Sequence, residues 1–307
     1  MPLPSRSPKS PSNWLGLYLL LGVIWGCSFI FIKLGLEFLT PFGVAFIRCA
    51  LGAFALLGYI KIRRIKLPRD RRVWLHLWVM SLLLNVGPGI FFALAETEVT
   101  SILAGIINAV TPLMALISIL VILPSEKPKL VQFLGMLLGF LGVLIILGAW
   151  KGLGDNPPWA IFVLFLAVAL YGFSFPYSRR FIQPYKLQPE ALAATQVTLG
   201  ATTLLPFFIF NGISSHDFRL ASVLAMVALG VMGSGFAYIW NFRIMEIAGS
   251  AIASSVTYLT PVVAVIVGII FLGESVTWYE PVGAIVVLLG AAIAQERVHL
   301  GKRKSNR

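Results

Sequence analysis

Two stretches of this chain carry the same residues at the same spacing, and that duplication restricts the folds open to it. Leu39-x-Pro41, Ala45 and Leu51-Gly52-Ala53 return as Leu187-x-Pro189, Ala193 and Leu199-Gly200-Ala201. Gly26-x-Ser28-Phe29 returns as Gly172-x-Ser174-Phe175, Thr111-Pro112 as Thr260-Pro261, and Gly135 and Gly142 as Gly283 and Gly290. The offset stays near half the chain length, which marks a repeated structural unit. With 58% hydrophobic and 12% charged residues, the chain lies outside the soluble globular range. An apolar unit duplicated in this way points to a transporter built from two related halves.

Charge-poor apolar stretches long enough to cross a bilayer recur along the chain. Ten are read, at roughly 13–34, 40–60, 73–95, 99–123, 130–150, 158–178, 190–211, 219–242, 248–272 and 278–295. The brief connections leave no room for a soluble catalytic domain. The expected fold is all-α and integral to the membrane, with ten transmembrane helices in two inverted five-helix repeats. The chain divides into an N-terminal tail 1–12, a first repeat 13–150, a second repeat 157–296 and a basic tail 297–307. The first apolar segment is too long for a cleaved signal peptide and shows no A-x-A site, so it reads as a retained helix. Cys27 and Cys49 fall inside spans, where they read as small apolar fillers rather than a disulfide or metal pair.

The formal net charge of +12 raises nucleic acid as a partner, and its distribution argues against that. With ten spans, both termini and every even-numbered loop share one side. That side collects Arg6, Lys9, the run Lys61, Arg63, Arg64, Lys66, Arg69, Arg71 and Arg72, then Lys127, Lys129, Arg179, Arg180, Lys186 and Arg243, and finally the tail. The other side holds Lys151 and Arg219. This bias predicts cytoplasmic termini, with the basic runs against anionic lipid rather than nucleic acid. Five spans per half is an odd number, so the second half enters the membrane from the opposite side. Halves inverted in this way open to either face by exchanging conformations.

Thr111-Pro112 and Thr260-Pro261 lie inside the fourth and ninth spans. Each proline removes a donor and pushes away the carbonyl four residues earlier, at Asn108 and Thr257, so each helix is expected to kink there. Freed carbonyls in lipid require a partner or a watery cavity. Asn108, Thr111, Thr257 and Thr260 are therefore expected near a central site, with Pro112 and Pro261 as kinks. Trp25 and Ser28 in the first span, Asn85 in the third, Tyr171 and Ser174 in the sixth, Tyr238 and Asn241 in the eighth and Tyr258 in the ninth are expected to face the bundle interior. Trp25 and Tyr171 are repeat mates. Together these residues suit a midplane cavity for a small amphipathic solute, although interhelical hydrogen bonding and interfacial anchoring account for any one of them equally well.

Lys33, Glu37 and Arg48 form a charged group near the outer half of the first two spans, with Lys33 and Arg48 as candidates for a charged gate. Arg48 lies more than a turn inside its span, so it must snorkel or pair. Its repeat mate is the neutral Gln196. The asymmetry fits attraction of a solute carboxylate and fits a structural ion pair as well. Glu126 and Glu274 occupy matching places after the fourth and ninth spans and read as loop caps. No Asp or Glu lies at the centre of a span, where proton relays are found, and Glu96 and Glu98 sit at an outer helix end. Gly22-x-x-x-Gly26 and Gly135-x-x-x-Gly139 permit close helix contact without specifying an oligomer.

Trp25-Gly26-x-Ser28-Phe29 with Lys33, Arg48-Cys49-Ala50-Leu51, and Thr260-Pro261 followed by Leu272-Gly273-Glu274 resemble the EamA family of the drug/metabolite transporter superfamily. The resemblance runs from about 14 to 295. It implies ten helices in two inverted repeats around a cavity formed by the first, third, fourth, sixth, eighth and ninth. It further implies an inner-membrane permease, often an exporter of amino acids or other metabolites. Pro124-Ser125-Glu126 departs from the family's Gly-Glu, and Glu246-Ile247-Ala248-Gly249 matches the family's loop before the ninth helix only in part. The expected partners are a small-molecule solute and the bilayer, with no nucleic acid, metal or cofactor. A membrane-embedded lipid-modifying enzyme is the competing reading. Scattered His76, His216 and His299, and the lack of paired carboxylates or a zinc spacing in any span, stand against it. A non-transporting subunit of a membrane complex is the third.

Overall fold

The computed structural model describes residues 14–123, 129–146, 148–151, 157–214, 218–272 and 278–294. Glu126, Glu274 and the tails 1–12 and 297–307 lie outside the described residues. Within them the chain is helical, apart from short turns and one isolated bridge between Leu39 and Ile213.

The helical segments of the described residues group into ten rods. The first three are α1 (Trp14–Gly35), α2 (Pro41–Ile62) and α3 (Arg71–Ala95). The fourth, α4, is two segments, Ser101–Asn108 and Thr111–Ile122, and α5 is Leu130–Ile146. The second half holds α6 (Pro158–Phe181), α7 (Pro189–Asn211) and α8 (Leu220–Ala248). The ninth rod, α9, comprises Ser250–Ser254, a 3₁₀ turn Ser255–Tyr258 and Leu259–Leu272, and α10 is Tyr279–Ala294.

Local chemistry explains the starts. The repeat mates Pro41 and Pro189 open α2 and α7 at a position that needs no N–H donor. Thr40 caps α2, its Oγ1 accepting from Gly43 N at 3.1 Å. Asp70 caps α3, its Oδ1 accepting from Arg72 N at 2.8 Å.

The prolines act more strongly than a bend. Pro112 and Pro261 each stand in the first turn of a fresh segment, after a break at Ala109-Val110 in α4 and after the 3₁₀ turn in α9. These breaks shorten the uninterrupted helices. Among the described residues six helices are long and apolar enough to cross a membrane, namely α1, α2, α3, α8, α7 and the stretch Pro158–Tyr185. Four more apolar helices, Thr111–Ile122, Leu130–Ile145, Ser250–Val263 and Ile285–Ala294, are shorter.

Packing follows the repeat. The two halves meet along α2 with α7 and along α5 with α10. Across the rest of the bundle, α1 packs on α9 as α6 packs on α4. Likewise α1 meets α8 as α6 meets α3, and α2 meets α8 as α7 meets α3. Small residues bring the backbones together. A Cβ on Gly26 would lie 2.6 Å from Val263 Cβ, and one on its mate Gly172 would lie 2.5 Å from Met114 Cβ. Along α5 and α10, Gly135 lies against Gly290 and Ala294, and Gly142 against Gly283 and Val287, so these helices run antiparallel. The Gly-x-x-x-Gly spacing at Gly135 and Gly139 is thus spent inside the chain.

Among the described residues two helices carry a π-helical turn, Leu82–Val86 in α3 and Leu229–Phe236 in α8. Shifting the first by the repeat offset lands inside the second. In such turns the bonds span five residues, which re-aims side chains and loosens the carbonyl ladder, and they concentrate at functional sites.

Candidate functional site

A cavity lies where the π turns, the broken helices and the middle of α1 converge. Trp25, Ser28, Phe29 and Ile32 line it from α1. They fall at i, i+3, i+4 and i+7, the spacing of one helix face. Facing them are Tyr171 and Phe175 of α6, Leu84 and Phe92 of α3, and Tyr238 of α8. The breaks in α4 and α9 contribute Asn108, Thr111 and Thr257, and α2 contributes Arg48. The cavity leaves ≈ 40 Å³ for the centres of water molecules, enough for about three waters. The cavity in this state is smaller than an amino acid.

The walls are fixed by aromatic and carbonyl contacts. Trp25 meets Tyr238 edge to face, with ring centroids 6.1 Å apart, and Phe92 stacks on Tyr171 at 5.7 Å. Trp25 Nε1 donates to Gly233 O at 3.2 Å and the Tyr238 hydroxyl donates to Leu84 O at 2.8 Å. Both acceptors lie in the π turns, so each loosened ladder is engaged by an aromatic from another helix. Ser28 Oγ donates to Ile24 O at 3.0 Å. Tyr171 has no hydrogen-bond partner for its hydroxyl among the described residues.

The same turns carry two clasps between the halves. Arg48 Nε donates to Ser234 Oγ at 2.7 Å, joining α2 to the π turn of α8. Its repeat mate Gln196 donates through Nε2 to Asn85 Oδ1 at 2.6 Å, joining α7 to the π turn of α3. Asn85 and Ser234 stand one place apart in the repeat. One clasp is charged and lines the cavity; the other is neutral. Arg48 is 6% exposed. Among the described residues its terminal nitrogens have no hydrogen-bond partner and no carboxylate lies within salt-bridge distance of it. A buried cation without a counter-charge is costly, and an anionic group arriving in the cavity would relieve that cost.

The other expected residues take different places. Lys33, Glu37 and Arg48 do not form one group. Lys33 Nζ donates to the backbone oxygens of Glu96 at 2.7 Å and Val99 at 3.3 Å, while Glu37 accepts from Ser222 Oγ at 2.5 Å. Arg48 bonds instead to Ser234 of α8. Tyr258 turns away from the cavity, its hydroxyl donating to Met136 O at 2.8 Å and its ring covering Gly139. Thr260 Oγ1 lies 2.7 Å from Thr257 O and 3.1 Å from Gly105 O, so the carbonyl freed by Pro261 is satisfied locally. Thr111 Oγ1 donates to Asn108 Oδ1 at 3.3 Å and Ser174 Oγ to Tyr171 O at 2.6 Å. Asn85 is clasped behind the cavity, and Asn241 is fully buried with both amide atoms unpartnered among the described residues. Cys27 and Cys49 are free thiols. Sequence reasoning passed over Phe29, Ile32, Leu84, Phe92 and Phe175. The helical spacing from Trp25 identifies the first two, whereas Leu84 lies within the π turn of α3 and Phe92 in the helix that follows it.

Comparison with known proteins agrees with this architecture. The profile of the EamA-like transporter family matches residues 12–148 and 158–294. An "Uncharacterized transporter" of Archaeoglobus fulgidus is 27% identical over 285 residues, covering 90% of this chain and 95% of the relative. The "Uncharacterized inner membrane transporter YedA" of Escherichia coli K12 is 27% identical, with 94% and 90% covered. YoaV, an "Uncharacterized transporter" of Bacillus subtilis, is 23% identical, with 87% and 91% covered. One crystal structure shares the fold at a TM-score of 0.74 and 21% identity, covering 94% of this chain and all of that one. With both halves matched by the same profile, the chain belongs to the EamA-like transporter family, a family of membrane transporters rather than enzymes.

Proposed function

We propose that this protein is a cell-membrane permease that exports a small carboxylate-bearing metabolite, an amino acid or a close relative, by alternating access. The observation that carries the reading is Arg48, a buried guanidinium on the cavity wall that has, among the described residues, one neutral partner and no carboxylate. A solute carboxylate supplies the missing charge, and Trp25, Tyr171 and Tyr238 suit an apolar or aromatic remainder. Ser28, Asn108, Thr111 and Thr257 offer polar contacts, and the breaks before Pro112 and Pro261 act as hinges. Lys33 serves as an outer gate by holding α1 to the end of α3.

In this reading all ten rods cross the membrane, the broken α4 and α9 included, with both termini in the cytoplasm. The antiparallel run of α5 along α10 supports halves inserted in opposite senses, and so does the meeting of the start of α2 with the end of α7, where Thr40 Oγ1 donates to Asn211 O at 2.6 Å. Alternating access follows when the two halves exchange conformations around the cavity. The test is flux in proteoliposomes with labelled alanine, threonine, phenylalanine and glutamate and a set of cationic drugs, with and without a pH gradient. Saturable movement of an amino acid is expected. No movement by folded protein under any gradient, or movement of the cationic drugs alone, would overturn the reading.

A further inference from the structure

Glu96 is a buried carboxylate that the cavity does not use. It is 0% exposed, and among the described residues neither carboxylate oxygen has a hydrogen-bond partner. It caps the end of α3, one turn beyond the cavity residue Phe92. Its neighbours in sequence, Phe92, Ala93, Ala95 and Val99, belong to an apolar cluster with Phe29, Ile32, Leu103 and Leu164. Glu98, two residues on, is exposed.

The charged and titratable groups facing this region are few. Lys33 comes from α1, Arg48 from α2 and Tyr171 from α6, and the facing segment of α4, Ser101–Asn108, has none. Lys33 is the nearest candidate partner, yet its ammonium is held by the Glu96 and Val99 backbone oxygens. Lys33 therefore satisfies the carbonyl end of α3, as cations commonly do, and leaves the carboxylate without donors. An ionised carboxylate in such a place is strongly disfavoured, and the neutral acid is the form that burial tolerates.

From this geometry, and on the reading of the protein as a carboxylate permease, we infer that Glu96 is a proton-carrying group, loaded together with the solute. Arg48 sets the coupling. While the cavity is empty, its positive charge favours the ionised form of Glu96. A solute carboxylate at Arg48 cancels that charge, so Glu96 holds its proton more firmly in the loaded, closed state. Solute and proton then travel in the same direction. The chemistry is one O–H bond made and broken at a carboxylate oxygen, the proton coming from water on the open side and returning to water on the other. Export down a solute gradient would carry protons outward with it.

Two measurements test this on the full-length protein. In proteoliposomes, an outside-acid pH jump should accelerate uptake of the panel amino acid that the wild type exchanges. In Glu96→Gln that acceleration should fall to the no-gradient level, and in Glu98→Gln it should match the wild type. Separately, dicyclohexylcarbodiimide, whose central carbon is attacked by the oxygen of a protonated carboxyl group in apolar surroundings, should label Glu96 of the wild type in membranes. Labelling should fall as the pH is raised, and fall at fixed pH when that amino acid is removed. An undiminished pH response in Glu96→Gln, a wild type that exchanges solute without responding to pH, or Glu96 left unlabelled at acid pH would each overturn the proposal. A wild type that moves no panel amino acid overturns the permease reading instead, and the pH dependence of labelling then decides whether Glu96 binds a proton.

Discussion

Replacing Arg48 by Gln separates a solute-binding arginine from a structural one, because the two roles predict opposite signs. Gln is the residue at the repeat-equivalent position 196, where it hydrogen-bonds across the halves to Asn85. Arg48→Gln can thus keep the bond to Ser234 while removing the charge. The terminal nitrogens of Arg48 are unpartnered among the described residues and are free to hold a carboxylate in bidentate fashion. Charge-assisted bonds contribute about 1.5–3 kcal/mol each, so loss of two weakens solute binding by at least ~3 kcal/mol. At about 1.4 kcal/mol per factor of ten, the apparent affinity falls roughly 100-fold or more. The empty protein responds the other way. Removing a buried charge that lacks a counter-charge lifts a desolvation penalty on the order of several kcal/mol, so the thermal midpoint of the solute-free protein in detergent rises, on the order of 2–4 °C per kcal/mol. The assays are a KM from proteoliposome uptake and a thermal shift without solute. A variant with a lowered midpoint and an unchanged KM would show that Arg48 is structural and refute the reasoning.

Three further outcomes are expected. Gly172→Val places its Cβ 2.5 Å from Met114 Cβ and 2.7 Å from Ala115 N, forcing α6 and α4 apart at an overpacking cost of about 1–3 kcal/mol, so the thermal midpoint and the yield of monodisperse protein both fall. A double-mutant cycle of Gln196→Leu and Asn85→Leu returns a coupling energy of about 0.5–3 kcal/mol, since either single change strands the other's buried amide; additive effects would show that the clasp contributes nothing. Fusions of green fluorescent protein to either end fluoresce and fusions of alkaline phosphatase are inactive, whereas an active phosphatase at either terminus contradicts the ten-span orientation.

Much of this architecture is visible in residue order because it rests on spacing. The duplicated Pro41 and Pro189 begin equivalent helices, and the repeated glycines meet across the halves. Trp25, Tyr171 and Tyr238 reach the cavity because they lie mid-span on interior faces. What escaped the reading depends on departures from the regular helix or on distant contacts. Ser234 meets Arg48 through a π turn, which shifts helical phase and which no single residue announces. Tyr258, an aromatic of the expected depth, serves α5 because Gly139 leaves room for its ring. Glu96 reads as a surface residue at a helix end, and its burial depends on how α1 and α4 close over it. The breaks in α4 and α9 exceed the kinks expected of Pro112 and Pro261, because each proline begins a new helical segment.

The seam between α5 and α10 has a consequence for how such a protein arises. Gly135 meets Gly290 while Gly142 meets Gly283, and within the repeat Gly135 corresponds to Gly283 and Gly142 to Gly290. Each side of the seam therefore presents the same face that it receives, the self-complementary arrangement of an isologous dimer. A half-length chain already contains both surfaces needed to close against a second copy of itself. Joining two such copies in one polypeptide replaces an association that depends on concentration with one that does not, and it frees the two sides of the seam to diverge.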